Sequence, residues 1–237
     1  MPFDFLKFRP YKINYDDLFL EINSNKILRD KSLQEVYLKE WKKILIEHDN
    51  ILMNELKNPI EIMKLIEGIK GESETFQLPI NFENNQILLH FRVAYIQKLL
   101  SKQEIIFESV DLTEFTSVNT TIGWTPVEGD VSAYSKSDEP VIIVPLSVGK
   151  VKYVLIDGNH RLTEKVRNNK NSVNVISIAE KSVIELNMLA SSFDKLYYIM
   201  LNELNYMGNI SASEEIDPLL LIQKSYLKDG VYKLNDC

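Results

Sequence analysis

The residues whose types and spacing invite chemistry are Asp157, His160 and Arg161, set around Gly158 in the run Ile156 to Leu162. A carboxylate, an imidazole and a guanidinium here fall within five positions. Arg161 can grip a phosphate through two parallel N–H groups. His160 can donate to a phosphate or take a proton. Asp157 can cap the turn, hold Arg161 in place or position a metal ion. Such a set serves anion binding. Asp157, His160 and Arg161 are the candidates to act, and Gly158, Asn159, His160, Arg161, Leu162 and Thr163 are the candidates to hold the ligand.

That chemistry needs a strand, a tight turn and a helix in immediate succession. Val151 to Ile156 is rich in β-branched residues and reads as a strand, which Asp157 and Gly158 end. Leu162 to Asn168 reads as a short helix. Its first N–H groups have no partners within the helix and carry a positive partial charge. They make a ready anion site, and glycine lets the backbone approach a ligand closely. Arg161 is read as facing solvent, held by Asp157 or, in a purely structural reading, paired with Glu164 or Glu185 at the surface. Before the turn, Val141 to Leu146 is a second apolar run, joined to the next strand through Gly149 and Lys150. Val173 to Ile178 is a third. Residues 116–139 are rich in Ser, Thr, Gly, Asp and Pro and read as a long irregular loop. Loops of that length tend to be functional, and Trp124 and Tyr134 suit this one to fold over the 157–161 turn.

The remainder is largely helical in pattern. Leu33, Val36, Tyr37, Trp41, Ile44 and Leu45 recur at three- and four-residue spacing, with Asp30 or Ser32 as the cap. A further helical segment is expected from about Asn50 to Ile69, interrupted by Pro59 and ended by Gly68 and Gly71. Phe76 to Phe82 suggests a strand that Pro79 weakens. For Ile87 to Leu100 the apolar spacing favours a helix, although Gln86 to Arg92 also fits a strand. Ile105 to Val110 reads as a strand. Helical periodicity returns at Leu186, Leu189, Phe193, Leu196, Tyr197, Met200 and Leu204, and Asp217-Pro218 opens a last helix at about Leu219 to Leu227. His90 reads as a satisfied, partly buried residue, and His48 beside Asp49 lacks a second ligand at helical spacing.

Glu139-Pro140-Val141-Ile142-Ile143-Val144, then Tyr153 to Ile156, then Asp157-Gly158-Asn159-His160-Arg161-Leu162, then Val173-Asn174-Val175 together resemble the ParB/sulfiredoxin-like superfamily, also described as the ParB-like nuclease domain. The resemblance covers roughly residues 105–180. It implies a small mixed β-sheet core and a nucleotide-phosphate cradle at the turn, with Gly158 and Arg161 at the shared positions. It also implies a nucleoside triphosphate, ATP or CTP, with Mg²⁺, and NTP hydrolysis or phosphoryl transfer as the reaction. Individual branches fit less well. Asn159 stands where sulfiredoxins carry their reactive cysteine, and Cys237 is the only thiol. The turn has His160-Arg161 where ParB proteins have paired arginines. Free-serine kinases place His and Thr before the arginine, which this turn does not.

Composition narrows the function classes. Lys and Arg total 27 against 34 Asp and Glu, a net charge of −7, which does not favour DNA binding. A single cysteine excludes a disulfide scaffold. With no membrane-length apolar run and no leader-like N-terminus, a cytoplasmic protein is expected. The fold class expected is α+β: a mainly helical region at 1–104, the ParB/sulfiredoxin-like core at 105–180, and helices at 181–237 packed on that core. The expected partner is a nucleotide or other phosphorylated small molecule, with a protein partner as the second class. The alternatives are a non-catalytic interaction module of a mobile genetic element, in which the turn is purely structural, and a ParB-like nuclease.

Overall fold

The computed structural model describes residues 12–57, 60, 74–83, 86–102, 104, 106–213 and 216–233. Pro59, Gly68, Gly71, Glu214, Glu215 and Cys237, and most of the helical segment expected up to Ile69, lie outside the described residues. The architecture is α+β, with two sheets and helices on both sides in sequence. The chain divides into two compact units, one formed by the residues up to His90 together with those from Leu189 onward, the other by Phe91 to Met188. No described helix is long and apolar enough to cross a membrane.

The first unit is mainly helical. Helix α1 spans Tyr15–Ser24 and is capped by Asn14; α2 spans Lys31–Glu55 and is capped by Asp30, whose side chain accepts from the Leu33 N–H. Helix α2 continues through Asn50, so no new helix begins there. Its periodic stripe buries Tyr37, Leu38, Trp41 and Leu45, while Val36, part of the same expected stripe, stays exposed. Strands β1 (Phe76–Asn81) and β2 (Gln86–Phe91) pair as a two-stranded sheet. The expected helix from Ile87 is therefore a strand in its first half. Ile87, Leu89 and Phe91 are all fully buried at two-residue spacing, which outweighs the helical face shared by Leu88, Phe91, Tyr95 and Leu99. Only Val93–Leu100 is helical, as α3.

After the second unit the chain re-enters the first near Ala190, whose N–H donates to the His90 carbonyl. His90 is fully buried rather than partly so, with Nδ1 against the Asp194 carboxylate at 3.0 Å. Ser191 caps helix α7, Ser192–Ser213, through the Asp194 N–H. The expected helical run from Leu186 starts only there, because Asn187 has a positive φ of 51° that ends the preceding turn. Tyr197 and Tyr198 are wholly buried in α7. The buried Glu203 accepts from the Tyr37 hydroxyl at 2.5 Å and from the Tyr226 N–H at 2.7 Å. Burial, and then the neighbouring Glu203 charge, push the Tyr37 phenol well above its usual range. The last helix is two pieces, α8 (Pro218–Lys224) and α9 (Tyr226–Asp229), broken at Ser225, which is extended at ψ 155°.

The second unit carries a five-stranded sheet in the order β3-β7-β5-β6-β4. The strands are β3 Glu108–Asp111, β4 Ile122–Gly123, β5 Val141–Val148, β6 Val151–Asp157 and β7 Ser172–Ser177. Pairs β3/β7 and β5/β6 are antiparallel, and β5/β7 and β4/β6 are parallel, so the sheet is mixed. Strand β3 starts three residues later than expected, since Ile106 is 84% exposed and precedes the pairing. Between the strands run the short helices α4 (Thr113–Thr116) and α5 (Asn159–Arg167), and α6 (Glu180–Glu185) follows β7. One face of the sheet closes on Phe115 from α4 and Leu162 from α5, together with Val141, Ile143, Leu155, Val173 and Val175. Helix α5 is thereby clamped at its first turn. Its N-terminus is presented at the end of β6.

Candidate functional site

The turn forms because β6 delivers Val154, Leu155 and Ile156 into the core while Lys152 and Tyr153 stay exposed. Asp157 is the last strand residue. Gly158 follows in the left-handed region, φ 96° and ψ 18°, and serves as the N-cap of α5. The helix starts at Asn159, three residues earlier than expected. Gly158 is required for a second reason, which the sequence does not disclose. A Cβ added there would lie 2.6 Å from Val141 Cγ1 and 3.1 Å from Arg161 Nη2. The glycine thus packs beneath Val141 of the neighbouring strand.

The N–H of Leu162 makes the first helical bond, to the Gly158 carbonyl at 2.8 Å. No side chain caps the N–H groups ahead of it, and no acidic residue stands in the first turn. A helix end in this state favours negative charge. Side chains on a helix tilt toward its N-terminus. Arg161 accordingly reaches back to Asp157, four residues earlier, and not to Glu164 or Glu185. Its Nη2 donates to Asp157 Oδ2 at 3.1 Å and to the Pro140 carbonyl at 3.2 Å, and Nη1 donates to Glu139 Oε2 at 3.3 Å. The Arg161 side chain is 12% exposed, so it does not face solvent as expected. Its Nε is buried with no hydrogen-bond partner among the described residues. Glu164 is buried instead and accepts from the Asn168 side chain.

Each remaining site residue has a defined place. Asp157 Oδ2 also accepts from Gln97 Nε2 of α3 at 2.9 Å. Asn159 Oδ1 accepts from the Thr125 N–H, and Thr163 Oγ1 accepts from the Val127 N–H while donating to the Asn159 carbonyl. His160 is exposed, and its ring stacks on Tyr134 with centroids 5.3 Å apart. Leu162 is wholly buried and anchors the helix without a polar role. The candidates therefore separate: His160 is exposed, Arg161 lies partly turned in, and Asn159 and Thr163 hold the adjacent loop.

That loop lies against the turn, as expected, and contains the short strand β4 and a single 3₁₀ turn at Ser132–Tyr134. Trp124 donates its indole N–H to the Phe115 carbonyl. Ser132 donates both its N–H and its hydroxyl to Asp130, which holds that carboxyl below the usual carboxylate range, the backbone bond being the larger cause. Arg167 fixes the loop from the far end of α5, donating to the carbonyls of Gly129 at 2.5 Å and Val127 at 2.7 Å. Replacing Arg167 with alanine should free this segment, raising amide exchange at Val127 and Tyr134 by about tenfold, the worth of one charge-assisted bond. Unchanged exchange at those two amides would show that Asn159 and Thr163 hold the loop unaided.

Gln97, Glu139 and Arg167 are the site-forming residues that sequence reasoning missed. Arg167 had a signal, since it lies six positions from Arg161 in a chain with only five arginines. Gln97 had none, because its helix is sixty residues away in sequence. Comparison of the chain with protein-family models, with curated proteins and with solved structures found no match.

Proposed function

We propose that residues 157–163 bind a nucleotide or another phosphorylated ligand, as the resemblance to the ParB/sulfiredoxin-like superfamily implies. The observation that carries this reading is the uncapped N-terminus of α5, free of acidic residues in its first turn and set behind a left-handed glycine. An anion there meets unpartnered N–H groups and the positive end of the helix. His160 stands exposed beside it to donate to a phosphate oxygen. Positioning and neutralisation of charge are what phosphoryl transfer chiefly requires of a protein. With a triphosphate bound, Arg161 and the helix N–H groups would meet the developing charge.

Magnesium fits only as a ligand-borne ion. Among the described residues, no group of three His, Cys, Asp or Glu is arranged to hold a metal. Magnesium commonly takes one or two carboxylates with phosphate oxygens completing its shell. Asp157 would supply the protein oxygen. The test is thermal denaturation with ATP, CTP, GTP and inorganic tripolyphosphate, each with and without Mg²⁺. A ligand at a hundred times its dissociation constant should add about 2.7 kcal/mol of stability. A melting temperature that none of the four moves would remove the reading.

A second reading has its own observation. Gly158 is demanded by Val141, and Arg161 joins Asp157, Pro140 and Glu139, so the motif also works as a staple for the sheet. In that case the protein is a non-catalytic interaction module. Variants of Gly158 and Arg161 would then lose stability while the titrations above stayed silent.

A further inference from the structure

Two carboxylates of unlike standing hold Arg161. Asp157 is only 10% exposed and its Oδ2 takes two donors, one from Gln97 and one from Arg161. Glu139 is 77% exposed, lies at the long distance of 3.3 Å, and its carboxylate makes no other hydrogen bond among the described residues. The contacts of Nη2 run inward, to Asp157 and Pro140. Nη1 makes its one hydrogen bond among the described residues to the exposed Glu139.

We propose that Glu139 is an internal competitor for the phosphate site, a tethered carboxylate occupying the guanidinium nitrogen that an incoming phosphate would take. The proposal rests on the phospholigand reading above and adds its regulation. With its carboxylate mostly in solvent, the Glu139 pair is weaker than the Asp157 pair and more easily parted. A carboxylate oxygen and a phosphate oxygen make the same charge-assisted bond to a guanidinium, so the two exchange without loss of geometry. Once displaced, Glu139 still repels the ligand at short range. A singly charged anion gains nothing by the exchange, whereas a polyphosphate reaches Nη1 and the helix N–H groups together. Glu139 therefore filters for multiply charged ligands. Asp157 cannot play this part, because releasing it would leave a nearly buried carboxylate with Gln97 alone.

The experiment is calorimetric titration of the full chain with inorganic tripolyphosphate at fixed low salt, on wild type, Glu139→Gln, Asp138→Asn, Arg161→Ala and the Glu139→Gln/Arg161→Ala double variant. Asp138 is the control for charge. It is the adjacent exposed acid and faces Lys165 at 3.7 Å, not Arg161. Glu139→Gln should tighten binding about threefold to tenfold, and Asp138→Asn by less than about twofold. Arg161→Ala should weaken it about tenfold or more, and in that background Glu139→Gln should add nothing. The competitor role is overturned if Glu139→Gln binds no tighter than wild type, if Asp138→Asn gains as much, or if the gain survives without Arg161. In each of those cases wild type still binds, so the phospholigand reading stands. If neither wild type nor Glu139→Gln binds tripolyphosphate, both fall together.

Discussion

Replacing Gly158 with alanine should destabilise the sheet-bearing unit by about 2–5 kcal/mol. Two effects add in the same direction. A left-handed φ of 96° strains any residue with a Cβ, costing about 1–2 kcal/mol. The new methyl would also sit 2.6 Å from Val141 Cγ1 and 2.9 Å from its Cβ, and overpacking of this kind costs about 1–3 kcal/mol. Val141 cannot retreat, being wholly buried against Phe115 and Leu162. Chemical denaturation of wild type and variant, followed by Trp124 fluorescence, reads the difference. Shortening Val141 to alanine as well should recover part of the loss, because it removes the clash and leaves the strain. A Gly158→Ala protein as stable as wild type would mean that the turn is not seated beneath Val141.

Arg161→Ala should act on both stability and binding, the second-largest effect foreseen. The side chain joins β5's approach, the end of β6 and the first turn of α5 through Pro140, Asp157 and Glu139. Its removal leaves Asp157 with Gln97 as its sole described partner. Breaking a fully buried pair costs about 3–5 kcal/mol; at this slightly exposed position about 2–3 kcal/mol is expected. Affinity for a phosphorylated ligand should fall about ten- to a hundredfold, the loss of one or two charge-assisted bonds. Arg161→Lys should restore part of each, since an ammonium supplies charge without the planar fork. Asp157→Asn separates the two effects. It keeps the shape and removes the ion pair, so it should lower stability while leaving the first N–H groups of α5 uncapped. Equal stability in wild type and Arg161→Ala would show that the three contacts carry no weight.

Much of this arrangement was legible before any coordinates. Short apolar runs rich in β-branched residues located β5, β6 and β7, and Gly149 and Gly158 marked the ends of the first two. Asp157-Gly158 likewise marked the turn. What escaped was non-local. Residues 87–91 carry apolar side chains nearly everywhere, so their spacing satisfies helix and strand alike, and pairing with β1 decides between them. That Asp157 holds Arg161 was legible from the local spacing, whereas the burial of the guanidinium against Pro140 depends on the sheet register and was not. The left-handed backbone of Asn187, which delays α7, depends on the path the chain must take at that point and has no compositional mark.

The order of the two units along the chain bears on synthesis. A ribosome emits α1, α2 and the β1–β2 pair first, but their partner α7 only after the whole of residues 91–188. The helical unit is thus left half-made, with Trp41 and Tyr37 uncovered, while the sheet-bearing unit is completed from contiguous chain. Domains emerging in this way fold as they appear. Once folded, residues 91–188 hold their own two ends together, the Arg92 N–H donating to the Met188 carbonyl at 2.9 Å. Closing a flexible segment of that length would cost about 4 kcal/mol in chain entropy, and a folded insert with adjacent ends removes most of that cost. Folding of residues 91–188 thus shortens the loop that the two segments of the helical unit must close, and a nascent chain that ends before Leu189 lacks the Glu203 carboxylate that receives the Tyr37 hydroxyl.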